Sequence, residues 1–193
     1  MKHSRAGHVA HGLRGKGEDR IMAASAVRGQ DRQRVAGDRG GRGIMAPEIH
    51  ARSALALGAA MAAGDLDPVQ VTEHFLDRIA ATDTDNTIYV RVTADRALAE
   101  ARASRDRHAR GMARSALDGV PISWKDLVDT GGIATEGASQ LFAGRVPQRD
   151  AVALERATAA GMVCLGKTNL PDLAYSGLGV NPWSGTPANA HSP

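Results

Sequence analysis

The stretch Asp150-Ala151-Val152-Ala153-Leu154-Glu155-Arg156-Ala157-Thr158-Ala159-Ala160-Gly161-Met162-Val163-Cys164-Leu165 decides the fold class. Asp150 is a good cap residue, the ten residues after it suit a helix, and Gly161 is a stop. Met162 to Leu165 form an unbroken apolar run of the kind found in strands covered on both faces. A helix feeding a buried strand implies layered α/β structure, here a mixed central β-sheet flanked by helices. The same stretch contains a trap. Gly161 to Thr168, Gly-Met-Val-Cys-Leu-Gly-Lys-Thr, satisfies the phosphate-loop pattern G-x-x-x-x-G-K-[ST] letter for letter. That loop needs a strand, then a flexible turn, then a helix, so that successive N–H groups face the phosphates. Here a helix precedes the first glycine and the four intervening residues read as the strand itself, so the context argues against nucleotide binding. Gly166 is expected at a strand-end turn, with Lys167-Thr168-Asn169 leading into a short helix at Pro171-Asp172-Leu173-Ala174.

Upstream, an alanine-rich helix is expected from about Pro47 to Ala63, stopping at Gly64. Asp67 then caps a second helix with Pro68 at its first position and Gln70 at the capping-box position; Val69, Thr72, Phe75, Leu76 and Ile79 form its core stripe. Ile88, Val90 and Val92 alternate as a short strand, and Thr93 can cap a third helix through Arg110, ended by Gly111. Arg102, Arg105, Arg107, Arg110 and Arg114 lie on or just past that helix. Asp95, Glu100 and Asp106 are interspersed with them, which reads as a solvated face and not as a nucleic-acid groove.

The 193 residues are 42% hydrophobic and 23% charged, within the globular range and sufficient for one core. No apolar run approaches the roughly 18 residues of a membrane span, so no membrane association is expected. A single cysteine, Cys164, excludes an internal disulfide framework and a cysteine-rich zinc site, and it fits a reducing compartment; the expected location is cytoplasmic. The net charge of +3 is unevenly divided: residues 1–44 hold 10 Lys+Arg and 4 Asp+Glu, hence +6, leaving 14 and 17, or −3, for residues 45–193. Residues 1–44 also hold 9 of the 22 glycines and no sustained apolar run, so they read as a disordered basic extension. Scattered charges without aromatics disfavour a nucleic-acid arm, and there is no apolar signal-peptide segment. The favoured account is a misassigned start, with Met45 opening the protein.

The most informative residues are Asp118-Gly119-Val120-Pro121-Ile122-Ser123-Trp124-Lys125-Asp126-Leu127, where a turn leads into a brief strand ending in a lysine beside an acid. A lysine there either reaches solvent or is held inside for chemistry. Burial penalises the ammonium form, so a desolvated lysine can be neutral near pH 7 and act as a base. Composition alone favours the surface. The loop from Asp129 to Ser139 is rich in small residues that permit close backbone approach. The tail from Tyr175 to Asn189 mixes Tyr and Trp with Asn-Pro and Thr-Pro steps, the marks of a structured loop.

Taken together, Asp118-Gly119-Val120-Pro121-Ile122 through Lys125-Asp126, the helix from Asp150, Leu165-Gly166-Lys167-Thr168-Asn169, and Asn181-Pro182 through Gly185-Thr186-Pro187 resemble the amidase signature family in order and spacing. The resemblance covers about Met45 to Pro193. These are serine hydrolases of amides, amidotransferase A subunits among them, working through a Ser, cis-Ser, Lys triad and an acyl-enzyme. The resemblance implies that Lys125 is the lysine of that triad, against the surface reading from composition. It also implies that Ala174, Tyr175, Ser176 and Gly177 lie near the acyl pocket, that the substrate is a small-molecule amide, and that no cofactor or metal takes part.

The family's Gly-Ser-Ser-rich loop, which supplies the bridging serine, and the nucleophile beyond it would follow His191-Ser192-Pro193. No serine present substitutes: Ser123, two residues from Lys125 on a predicted strand, should share its face, and no second serine sits in a recognisable nucleophile turn. The expectation is an incomplete amidase fold that keeps only the lysine and is inactive alone. The alternatives are a non-catalytic remnant that binds a partner and, less favoured, a nucleic-acid accessory using the basic arm.

Overall fold

The computed structural model describes residues 46–191. The expectations for residues 1–44 and for a start at Met45 lie outside the described residues. Three strands, β1 (Tyr89–Val92), β2 (Pro121–Lys125) and β3 (Val163–Thr168), form one sheet in the order β1-β3-β2. The central strand β3 runs antiparallel to β1 and parallel to β2, so the sheet is mixed, as expected. Among the described residues four α-helices accompany it: α1 (Ala54–Ala63), α2 (Pro68–Thr82), α3 (Ala94–Ala109) and α4 (Val152–Ala159).

The sequence explains why β3 lies in the middle. Val163, Cys164 and Leu165 are all buried, and alanines at positions 97 and 101, one turn apart, let α3 lie close against Val163 and Leu165. Val69, Phe75, Leu76 and Ile79 of α2 complete that cluster, which bears out four of the five stripe residues as packing groups. The fifth, Thr72, is fully buried and donates its hydroxyl to Pro68 O at 2.8 Å. Val71, outside the stripe, faces a second cluster with Ile49, Leu57, Met61, Leu66 and Val120. Helix α2 therefore packs on two sides, which a single stripe understates.

Several local expectations are corrected. The first helical segment is two pieces, a 3-10 turn (Ala46–Ala51) and α1, because Ser53 adopts extended backbone and accepts the Ala56 N–H to start a new helix. Asp67 caps α2 as expected, accepting the Val69 N–H at 2.7 Å. Thr93 precedes α3, but its hydroxyl donates to Cys164 O at 2.9 Å and does not cap the helix. Asp150 likewise leaves α4 uncapped and binds Arg96 and the Gly131 N–H instead. Gly166 is no strand-end turn: it and Lys167 lie inside β3, and only a 3-10 turn (Asp172–Ala174) follows. Arg107 is not part of a solvated face, because its guanidinium is paired with the buried carboxylate of Asp118.

Candidate active site

The parallel ladder between β2 and β3 ends with Lys125 opposite Thr168. Beyond it, Lys125 to Val128 form a turn closed by a 2.9 Å hydrogen bond from the Val128 N–H to Lys125 O. The Asp126 N–H donates to Thr168 O at 3.0 Å, which ties the turn to the end of β3. Lys125 itself is exposed. Ser123, two residues earlier on β2, places Oγ 2.5 Å from the Tyr89 hydroxyl of β1, across the sheet.

The desolvated lysine sought at position 125 is found at position 167. Lys167 is fully buried; its ammonium donates to Val128 O at 2.7 Å and to Thr135 Oγ1 at 2.8 Å, and lies 3.6 Å from Asp126 Oδ1. Burial pushes its pKa below the usual lysine range, opposed by the nearby Asp126 carboxylate. Asp126 is also buried and accepts the Glu136 N–H at 3.0 Å on its other oxygen. Arg91 of β1 reaches both acids, with Nη1 3.4 Å from Asp126 and Nη2 bonded to Glu136. For Glu136, burial raises the pKa, but the Gly144 N–H and the Arg91 guanidinium hold it below the usual range.

The loop after Asp126 and the tail after β3 are sewn together by backbone and amide groups. Leu173 N–H donates to Gly137 O at 3.0 Å. The buried Asn181 amide donates to Ala138 O and Leu170 O at 2.8 and 2.9 Å, while its oxygen accepts the N–H groups of Trp183 and Ser184. Asn169 binds Thr87 O and Gly185 O at 2.9 Å each, so the tail is a structured loop, as its composition suggests. Ala174, Tyr175, Ser176 and Gly177 all lie exposed on this loop, Tyr175 at 96%. Leu173 and Ala174 adopt left-handed backbone, with φ of 50° and 59°, conformations that β-carbons disfavour.

Lys125 ends β2, and the segment from Ala174 to Gly177 begins at the end of the 3-10 turn after β3; Gly137 links their neighbours, its N–H bonding Asp126 O and its carbonyl accepting the Leu173 N–H. What sequence reading missed is the charged layer of Arg91, Asp126, Glu136 and Lys167. One signal was available: Lys167 directly continues a buried strand, where a charged side chain must find partners. Those partners, Asp126, Val128 and Thr135, lie 41, 39 and 32 positions away, and their identities were not readable.

The mixed sheet thus ends, at the parallel strand pair, in a turn that sets a lysine beside a buried acid. A family model described as Amidase matches residues 70–193, and the chain belongs to that family. It is 38% identical over 147 residues to the A-type subunit of the glutamyl-tRNA(Gln) amidotransferase of Chloroflexus aurantiacus, an alignment covering 72% of this chain and 30% of that protein. Similarity to the corresponding protein of Thermobifida fusca is 40% over 144 residues, covering 70% of this chain and 29% of the relative. Among solved structures, the peptide amidase of Stenotrophomonas maltophilia superposes with a TM-score of 0.65 at 31% identity, over 74% of this chain and 30% of that one. A protein from a vestigial complex linked to the origins of an s-triazine catabolic enzyme gives a TM-score of 0.70 at 32% identity, covering 73% and 31%. The chain spans about 30% of the length of the curated relatives it matches.

Proposed function

We propose that residues 45–193 are the N-terminal portion of an amidase domain and contribute the base of an amide-cleaving or amide-transferring site, with Lys125 as that base. The observation that carries the reading is the position of Lys125: last in β2, followed by the Lys125–Val128 turn, within the stretch that matches the Amidase family. In its uncharged form Lys125 takes the proton of a nucleophilic serine through a bridging serine. The serine oxygen then attacks the amide carbonyl, the C–N bond breaks, and the amine leaves carrying a proton; water or another amine releases the acyl group. Ala174, Tyr175, Ser176 and Gly177 border the acyl pocket for a small-molecule amide, in a cytoplasmic setting. Among the described residues no helix is long and apolar enough to cross a membrane.

The two serines are the missing half of this proposal. Ser123 is engaged with Tyr89, and among the described residues no serine stands in a recognisable nucleophile turn. The chain alone is therefore proposed to be inactive and to need the serine-bearing remainder of an amidase domain. Ammonia release from simple amides tests this. The expected result is no turnover by the 193-residue chain, turnover when the remainder is joined to it, and a loss of about 10²–10⁴-fold in Lys125→Ala of the joined protein. Turnover by the chain alone would relocate the nucleophile to one of its own serines. A joined protein that stays inactive while well folded would favour the non-catalytic remnant.

A further inference from the structure

Lys167 takes no part in the acyl transfer proposed above, yet it is fully buried and the contacts of its ammonium lead toward the turn that follows Lys125. The carbonyl it holds, Val128 O, belongs to the residue whose N–H closes the turn on Lys125 O. The carboxylate beside it belongs to Asp126, the residue after Lys125. Asp126 is fixed in turn on three sides. Its N–H bonds Thr168 O, its carbonyl accepts the Gly137 N–H at 2.9 Å, and its carboxylate accepts the Glu136 N–H. The four-residue turn is therefore clamped by the end of β3, by the loop at 136–138, and by one buried ammonium.

We propose that Lys167 is a positioning residue: paired with Asp126, it moulds the Lys125–Val128 turn and so sets the direction in which Lys125 leaves β2. This inference rests on the reading of Lys125 as the base. A buried charge is costly unless paired and hydrogen-bonded, and a lysine held by the turn's own carbonyl and carboxylate couples that cost to the turn's geometry. A phosphate-loop lysine would extend its ammonium toward a ligand, whereas this one points into the protein, at Val128 O and Thr135 Oγ1. Besides Asp126, the charged or titratable groups acting on Lys167 are Arg91 on β1 and Cys164 on β3, and its own charge acts on Asp129 and Asp150.

The test uses NMR on the 193-residue chain. Lys167→Met fills the space but leaves Asp126 charged and buried, and that variant can unfold for this reason alone. The decisive protein is Lys167→Met combined with Asp126→Asn, which removes both charges and keeps an oxygen for the Glu136 N–H. Expected there are unchanged shifts across α2 and α3 and a fall in backbone order at residues 126–128 from ~0.85 to below ~0.6. The carbonyl carbon of Val128 should show a titration step below the ordinary lysine range in the unaltered chain, as its donor loses a proton, and none in the double variant. A folded double variant with an unchanged turn, or an unaltered chain without the step, overturns the proposal. Should the double variant not fold, the step in the unaltered chain decides by its presence or absence. Failure of Lys125 as the base would appear separately, as retained turnover in Lys125→Ala of the joined protein, and would leave these turn measurements intact.

Discussion

Asp118 and Lys167 are both charged and both fully buried, and the difference between their surroundings shows how a burial cost is met. Asp118 accepts two hydrogen bonds from Arg107, at 2.8 and 2.6 Å, and a third from the Arg114 N–H at 2.8 Å. Burial pushes its carboxyl up, but these donors outweigh it and hold the pKa below the usual 3.8. Removing the acid in Asp118→Ala strands Arg107 and should destabilise the chain by about 3 kcal/mol, read from the urea midpoint. The pH dependence has a definite sign. A depressed carboxyl pKa means that its contribution is complete above 3.8 and is lost as pH falls through the lower folded value. Asp150, Asp129 and Glu136 are shifted the same way, so acid unfolding of Asp118→Asn should be shallower than that of the unaltered chain without becoming flat. A full-sized acid transition in Asp118→Asn would mean that other carboxylates dominate. From the sequence Asp118 reads only as a turn residue, since its partner sits on the preceding helix and helix faces do not announce their long-range contacts.

At the scale of elements, what local sequence rules captured and what they missed divide by the range of the interaction. The stops at Gly64 and Gly111, the Asp67 cap and the apolar run of β3 depend on neighbours within a turn, and they stand where the rules put them. Thr93 and Asp150 satisfy the same rules but spend their side chains on Cys164 O and Arg96, because those partners arrive only when the sheet assembles. Gly166 makes the same point within a strand. A β-carbon there would lie 2.4 Å from Arg91 O, and the ladders on both sides of β3 are irregular near this residue, with Val92 and Ser123 as its partners. Gly166→Ala must therefore push β1 away from β3, at a cost of about 1–3 kcal/mol or more. The check is a lowered melting temperature together with faster amide exchange at Thr93, whose N–H bonds Leu165 O in that ladder. Unchanged exchange would mean that β1 shifts without strain. Asn181→Ala should act on the tail alone, exposing residues near Leu178 to limited proteolysis while the sheet amides stay protected, since both hydrogen bonds donated by its amide reach loop carbonyls.

At the scale of the whole molecule, the described surface carries more large apolar side chains than the two core clusters explain. Leu141, Tyr175, Leu178 and Trp183 are 77%, 96%, 84% and 60% exposed, and they lie on the two loops that Asn181 and Leu173 hold together. Scattered exposed apolar residues are ordinary, but four large ones on two joined loops are the raw material of the kind of patch that monomers rarely leave in water. The composition gave no hint of it, because 42% hydrophobic content fits an ordinary globular chain and says nothing of where the residues fall. Such a patch should make the isolated chain self-associate. Sedimentation velocity across a hundredfold range of concentration should show growing assemblies, and an apolar dye should bind the native state. Leu178→Ser with Trp183→Ser should suppress both with little effect on melting, because side chains already in water contribute little to the fold. A chain that stays monomeric and dark to the dye throughout would mean that the loops fold over their own apolar groups in solution. If both signals are present and vanish in the double variant, the exposed apolar groups of the two joined loops form a real contact surface.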